Sequence, residues 1–233
     1  MFFKNVRNNS WITILLIVLV SFIHNACISS EDYDNSSFLT ETKSVLGNSS
    51  NSIFVAVGNS GTILTSSDGI SWISRSSGTS KKLNDITYGN SFFLTVGETG
   101  IILTSSDGIS WTSKTSGTSE NLNGVTYGDS TFVAVGAGSQ KILTSTNGNS
   151  WTLRTSGSSY ILQGITYGDN TFLAGGQSGT ILTSSNGTSW TSRTSGTSEP
   201  LWGVYYGNSK FMAVGGTGEI QTSTDAETWT SRT

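Results

Sequence analysis

The sequence predicts an all-β protein made of five copies of one four-stranded unit arranged in a ring. Three observations predict it. A tryptophan recurs at Trp72, Trp111, Trp151, Trp190 and Trp229, with spacings of 39, 40, 39 and 39 residues. Four positions before each stands Asp68, Asp107, Asn147, Asn186 or Asp225. Between these points, short apolar runs alternate with turn signals, and no helical periodicity intervenes. A fixed period of this length marks stacked supersecondary units.

Residues 1–26 predict an export signal. Lys4 and Arg7 form a positive start, and the apolar run from Ile14 to Val20 follows, extended by Phe22 and Ile23. The run is shorter than the roughly 20 apolar residues of a membrane-spanning helix. It ends at Ala26 and Cys27, and Cys27 is the single cysteine of the chain. A lone cysteine there resembles the lipobox of bacterial lipoproteins, whose cysteine becomes the lipidated first residue. That resemblance implies an anchored location at a bacterial cell envelope. Residues 27–43 are polar and aperiodic, and read as a disordered, flexible tether with a reach of about 20–25 Å.

Composition removes several functions. Loss of Lys4 and Arg7 with the signal leaves 10 basic against 15 acidic residues, so nucleic acid is not an expected partner. The one histidine, His24, lies inside the signal. The exported chain therefore has no Ser-His-Asp or Cys-His chemistry and no histidine-based zinc site. No metal or cofactor is expected.

The repeated domain is placed at residues 44–233. Its first segment reads Leu-x-x-Ile/Val-Thr/Tyr-Tyr-Gly, from Leu83, Leu122, Leu162 and Leu201. The second is an apolar run ending in glycine, beginning at Phe54, Phe93, Phe132, Phe172 and Phe211. The third begins at Ile63, Ile102, Ile142, Ile181 and Ile220, and the fourth at the tryptophan. Gly-Asn or Gly-Asp pairs separate the first two segments. Asp-Gly or Asn-Gly pairs separate the third and fourth in all copies but the last. Such residues accept positive φ, which tight hairpins require. The run from Phe132 to Val135 is apolar on both faces, as suits a strand sandwiched between neighbouring sheets. Four short strands per period, without helices, describe a five-bladed β-propeller. The first copy lacks a clean first segment, and Ser44 to Leu46 is the expected substitute. Closure is expected between the fifth unit and that stretch, as a monomer. An open array completed by a second chain is the alternative.

The repeated Ser-x-Asp-Gly-x-Ser-Trp turn resembles the Asp-box, or BNR, repeat of sialidases, sortilin-like propellers and the photosystem II assembly-factor propellers. The usual box has four residues between aspartate and tryptophan, and here there are three, such as Gly69 to Ser71. In that family the box is structural, which implies that Asp68, Asp107, Asn147, Asn186 and Asp225 accept backbone N–H bonds. Asparagine at two copies suits a turn and not a catalytic acid.

A sialidase needs a converging arginine triad. Arg75, Arg154, Arg193 and Arg232 each sit three residues after a box tryptophan, so they occupy one repeated outer position. Another glycosidase would need two facing carboxylates. Asp85 is the candidate, because Gly124, Gly164 and Gly203 stand at its equivalents. The copies differ mainly in the loops between segments two and three and between four and one, which share one face of a propeller. Variation on one face of a fixed scaffold suggests a binding surface. Trp202, Tyr160, Gln163, Lys82, Glu199 and Asp85 are the candidate ligand contacts. The expected function is a non-enzymatic envelope scaffold holding a protein or glycan. A carbohydrate-active enzyme and an assembly factor for an envelope complex are the alternatives.

Overall fold

The computed structural model describes residues 53–138 and 142–232. These form five antiparallel sheets. The first holds β1 (Phe54–Val57), β2 (Ile63–Ser66) and β3 (Ile73–Arg75). The second holds β4 (Leu83–Gly89), β5 (Phe92–Gly97), β6 (Ile102–Ser105) and β7 (Thr112–Lys114). The third holds β8 (Leu122–Gly128), β9 (Thr131–Gly136), β10 (Ile142–Ser145) and β11 (Thr152–Arg154). The fourth holds β12 (Leu162–Gly168), β13 (Thr171–Gly176), β14 (Ile181–Ser184) and β15 (Thr191–Arg193). The fifth holds β16 (Leu201–Gly207), β17 (Lys210–Gly215), β18 (Ile220–Ser223) and β19 (Thr230–Ser231). Each sheet keeps sequence order, and β4, β8, β12 and β16 pack side by side as the inner strands. The blade architecture expected from the repeat is present. The expected first strand of blade one, at Ser44 to Leu46, lies outside the described residues, as do the signal and the tether.

Turn chemistry sets the registers. The inner hairpins have two-residue loops: Asn90-Ser91, Asp129-Ser130, Asp169-Asn170 and Asn208-Ser209. Both loop residues take positive φ, between 43° and 65°, the I′ pattern whose twist matches the strands. Across each hairpin a tyrosine faces a phenylalanine. The rings of Tyr127 and Phe132 lie 4.5 Å apart, and those of Tyr206 and Phe211 lie 4.7 Å apart.

The core lies between the sheets. Leu94, Val96 and Ile102 of blade two pack against Leu122, Val125, Phe132, Ala134 and Leu143 of blade three. Equivalent residues fill the seams on either side. The glycine ending β4, β8 and β12 gives room for the next blade's tyrosine. A Cβ on Gly89, Gly128 or Gly168 would lie 2.1 Å from the ring of Tyr127, Tyr167 or Tyr206. Gly128→Ala is therefore expected to displace Tyr167 and cost about 1–3 kcal/mol, read as a lower urea midpoint.

One core position breaks the pattern. Leu64, Leu103, Leu143 and Leu182 correspond to Gln221 in blade five. Gln221 is 2% exposed, and its Nε2 donates to Glu219 Oε1 at 2.5 Å. Among the described residues its Oε1 is buried without a hydrogen-bond partner. Leaving a polar atom so costs on the order of 1–3 kcal/mol. Gln221→Leu is expected to raise stability by about 1 kcal/mol or more, measured by equilibrium unfolding.

Candidate functional site

The two ends of the propeller are built differently. One end carries the inner hairpin turns and the boxes. In the first box, Ser66 Oγ accepts from Gly69 N at 2.8 Å and donates to Asp68 Oδ1 at 2.9 Å. Asp68 Oδ1 also accepts from Ile70 N and Ser71 N, both at 2.8 Å. Asp107 and Asp225 repeat these backbone bonds. Asn147 and Asn186 make them through the amide oxygen. The indole N–H groups of Trp111, Trp151 and Trp190 donate to the box glycine carbonyl, and that of Trp229 to Ala226 O. Trp111, Trp151, Trp190 and Trp229 also pack against the core clusters between sheets.

The amide donors hold the Asp68 carboxyl down at about 2, and they lower Asp107 and Asp225 from the usual range in the same way. A carboxyl lowered on folding adds stability that is complete above its unfolded pKa of about 4 and lost as pH falls through the folded value. Box stabilisation should therefore fade between about pH 4 and pH 2. Replacing Asp68, Asp107 and Asp225 by asparagine, as at the other two boxes, is expected to flatten the urea midpoint across that window.

The outer rim carries the arginines. Nε of Arg75, Arg154, Arg193 and Arg232 donates to Thr65, Thr144, Thr183 and Thr222 at 2.8–2.9 Å. They hold neighbouring strands together blade by blade and form no cluster. Arg193 also pairs with Glu227 across the blade four–five seam at 2.5 Å.

The opposite end carries the loops that vary. Their backbone is nonetheless repeated. Ser77 Oγ accepts from Thr79 N, and Thr79 Oγ1 accepts from Lys81 N. The same bonds place Glu120, Tyr160 and Glu199. One fixed path thus projects a different side chain from each blade. Tyr160 is 48% exposed, at the lip of a groove of about 560 Å³ lined also by Ser178, Thr180 and Arg193. Trp202 is 50% exposed on β16. A Cβ on Gly216 would lie 3.2 Å from Glu199 Oε2 and 3.9 Å from Trp202 Nε1, so these three residues share one corner. Gln163 is half-buried at the equivalent position on β12.

Two candidates are tied into the scaffold. Lys82 N donates to Glu98 Oε2 at 3.1 Å, and Lys82 O accepts from Glu98 N. Asp85 accepts from Ile86 N through Oδ1 and from Val125 N through Oδ2, both at 2.8 Å. Asp85 therefore staples blade two to blade three. Asn84 and Asn123 do likewise one residue earlier, donating to Leu122 O and Leu162 O of the following blade. The candidates thus sit at one end but on separate blades: Lys82 and Asp85 on two, Tyr160 and Gln163 toward four, Glu199 and Trp202 on five. The sequence pattern did not reveal Glu98 or Asn121, whose Oδ1 accepts from Thr99 N and fixes the adjacent loop. Single departures from a repeat were the available signal. No group of three or more His, Cys, Asp or Glu suited to a metal occurs among the described residues.

Sheets of this order and packing define a β-propeller. No protein-family model matches the chain, and no curated protein matches it by sequence. Solved structures do. The structure described as YCF48 bound to D1 peptide is similar with a TM-score of 0.61 and 18% identity, over 88% of this chain and 74% of that one. YCF48 from Cyanidioschyzon merolae is similar with a TM-score of 0.58 and 16% identity, over 77% and 69%. The WD40 propeller domain of Doa1 is similar with a TM-score of 0.54 and 15% identity, over 82% and 69%. At these identities the likeness is one of fold.

Proposed function

We propose that this protein is a non-enzymatic binding propeller that holds a protein or glycan ligand on its variable-loop end. The observation that carries the reading is the placement of Tyr160 and Trp202. Both aromatics are half exposed, and both stand at the end where side chains change from blade to blade. Aromatic anchors on a rigid frame suit binding, because they offer large contact area with little loss of freedom. Gln163 and Glu199 supply polar contacts beside them, and Lys82 and Asp85 border the surface from blade two. The YCF48 structure holds a D1 peptide, which favours a protein ligand over a glycan for a propeller of this shape. An assembly role in an envelope complex is the form such binding would take.

The location follows the sequence expectations. Residues 1–26 direct export, Cys27 carries the lipid, and residues 27–43 hold the propeller off a bacterial envelope membrane. A lipoprotein with several acyl chains would be anchored stably.

The glycosidase alternative requires Asp85 as a reacting carboxyl. Its oxygens instead accept two backbone N–H bonds, one from Ile86 beside it and one from Val125 of the next blade. Unchanged glycan turnover in an Asp85→Asn variant would dispose of it.

The test is capture of envelope proteins and glycans on the immobilised chain, followed by titration of the ligand found. Tyr160→Ala and Trp202→Ala are each expected to weaken binding about tenfold or more. Asp107→Asn, at the opposite end, is expected to leave binding unchanged. Full affinity in both aromatic variants would place the ligand elsewhere and overturn the reading.

A further inference from the structure

Each seam joins the trailing face of one blade to the leading face of the next. The trailing residues Val55, Val57 and Ile63, then Leu94, Val96 and Ile102, then Val133, Val135 and Ile142, are all 0% exposed. The leading phenylalanines Phe93, Phe132, Phe172 and Phe211 are at most 2% exposed. At the ends of the array most of the same positions are less completely covered. On the trailing face of blade five, Met212 is 38% exposed, and Val214 and Ile220 are half-buried. Gly207 is half-buried as well, whereas Gly89, Gly128 and Gly168 are buried beneath a tyrosine. On the leading face of blade one, Phe54 and Leu64 are half-buried.

These are two halves of one more seam, and among the described residues they do not pack closely on each other. Among the described residues, no strand of the fifth sheet packs closely on a strand of the first. Residues 1–52 hold no further copy of the box. The halves also match in charge. In the first two internal seams, the residue opening the second strand, or just before it, rests on the next box. A Cβ on Gly108 would lie 3.5 Å from Ile53, and one on Gly148 would lie 2.8 Å from Phe92. In blade five that position is Lys210, exposed at the edge of β17. The box it would meet on blade one is Asp68-Gly69, whose carboxyl is held ionised.

We propose that copies of this chain associate head to tail, the trailing face of blade five docking on the leading face of blade one of a second copy. Met212, Val214 and Ile220 cover Phe54 and Leu64, and Lys210 lies beside Asp68. The contact is heterologous, so it closes into a ring or propagates. It goes beyond the ligand-binding reading and uses neither Tyr160 nor Trp202.

The test begins from the full chain carrying Cys27→Ala, which removes the single native thiol. One variant adds Phe54→Cys and a second adds Met212→Cys. On oxidation, the mixture of the two is expected to give a disulfide-linked dimer. The chain carrying both substitutions is expected to give a ladder. Sedimentation of the unmodified chain should show mass rising with concentration. Lys210→Glu should weaken that association about tenfold or more with the circular dichroism spectrum unchanged. A link formed within one chain would assign the face to intramolecular closure and overturn the proposal. A monomeric mass at every concentration, with no link, would overturn it too.

Discussion

The structure depends on burying both faces of every second strand. β5, β9 and β13 each present apolar side chains in two directions, and a single four-stranded sheet can cover neither. Each sheet is therefore completed by its neighbours. The tyrosine over the preceding blade's glycine makes this contact specific as well as hydrophobic, because the ring fits only where no Cβ stands. Burial of this kind supplies most of the stability of an all-β domain, at roughly 25 cal/mol per Å² of apolar surface. It also explains why a repeat must keep one length. A blade that pairs with both neighbours through the same positions has little freedom to drift in register.

The two ends divide the work left over. At the box end, side-chain oxygens take up the backbone N–H groups of the sharpest turns, so the turn is fixed by its own residues. At the other end, the serine and threonine turns fix the loop path and leave the next side chain free to vary. Tyr160, Lys81, Glu120 and Glu199 occupy one geometric position with four chemistries. That is how a monotonous scaffold can present an individual surface without spending stability on each change.

The fold was legible because the period repeats five times, and hairpin chemistry recurs at the same offset in each copy. The box was legible for a subtler reason: aspartate and asparagine exchange there, and both offer an oxygen to two amides. What escaped were contacts between blades. Asp85 looked like a lone carboxylate on an inner strand, and nothing in its neighbours in sequence points to Val125 N forty residues on. Asn84 and Asn123 reach the next blade in the same unannounced way. Met212 reads as one more apolar residue of a second strand. Only the arrangement of sheets shows that, among the described residues, no other strand comes to cover it.

The serine of the box has a chemical consequence beyond shape. Asn147-Gly148 and Asn186-Gly187 are the dipeptides in which the following amide nitrogen attacks the side-chain carbonyl most readily, forming a succinimide and then isoaspartate. Here Gly148 N and Gly187 N donate to Ser145 Oγ and Ser184 Oγ at 2.8 and 2.9 Å, so the attacking nitrogen is tied to another acceptor. The folded domain thereby shields its weakest bonds from ageing. A molecule that lingers unfolded would acquire a longer backbone at those two turns and could no longer rebuild them.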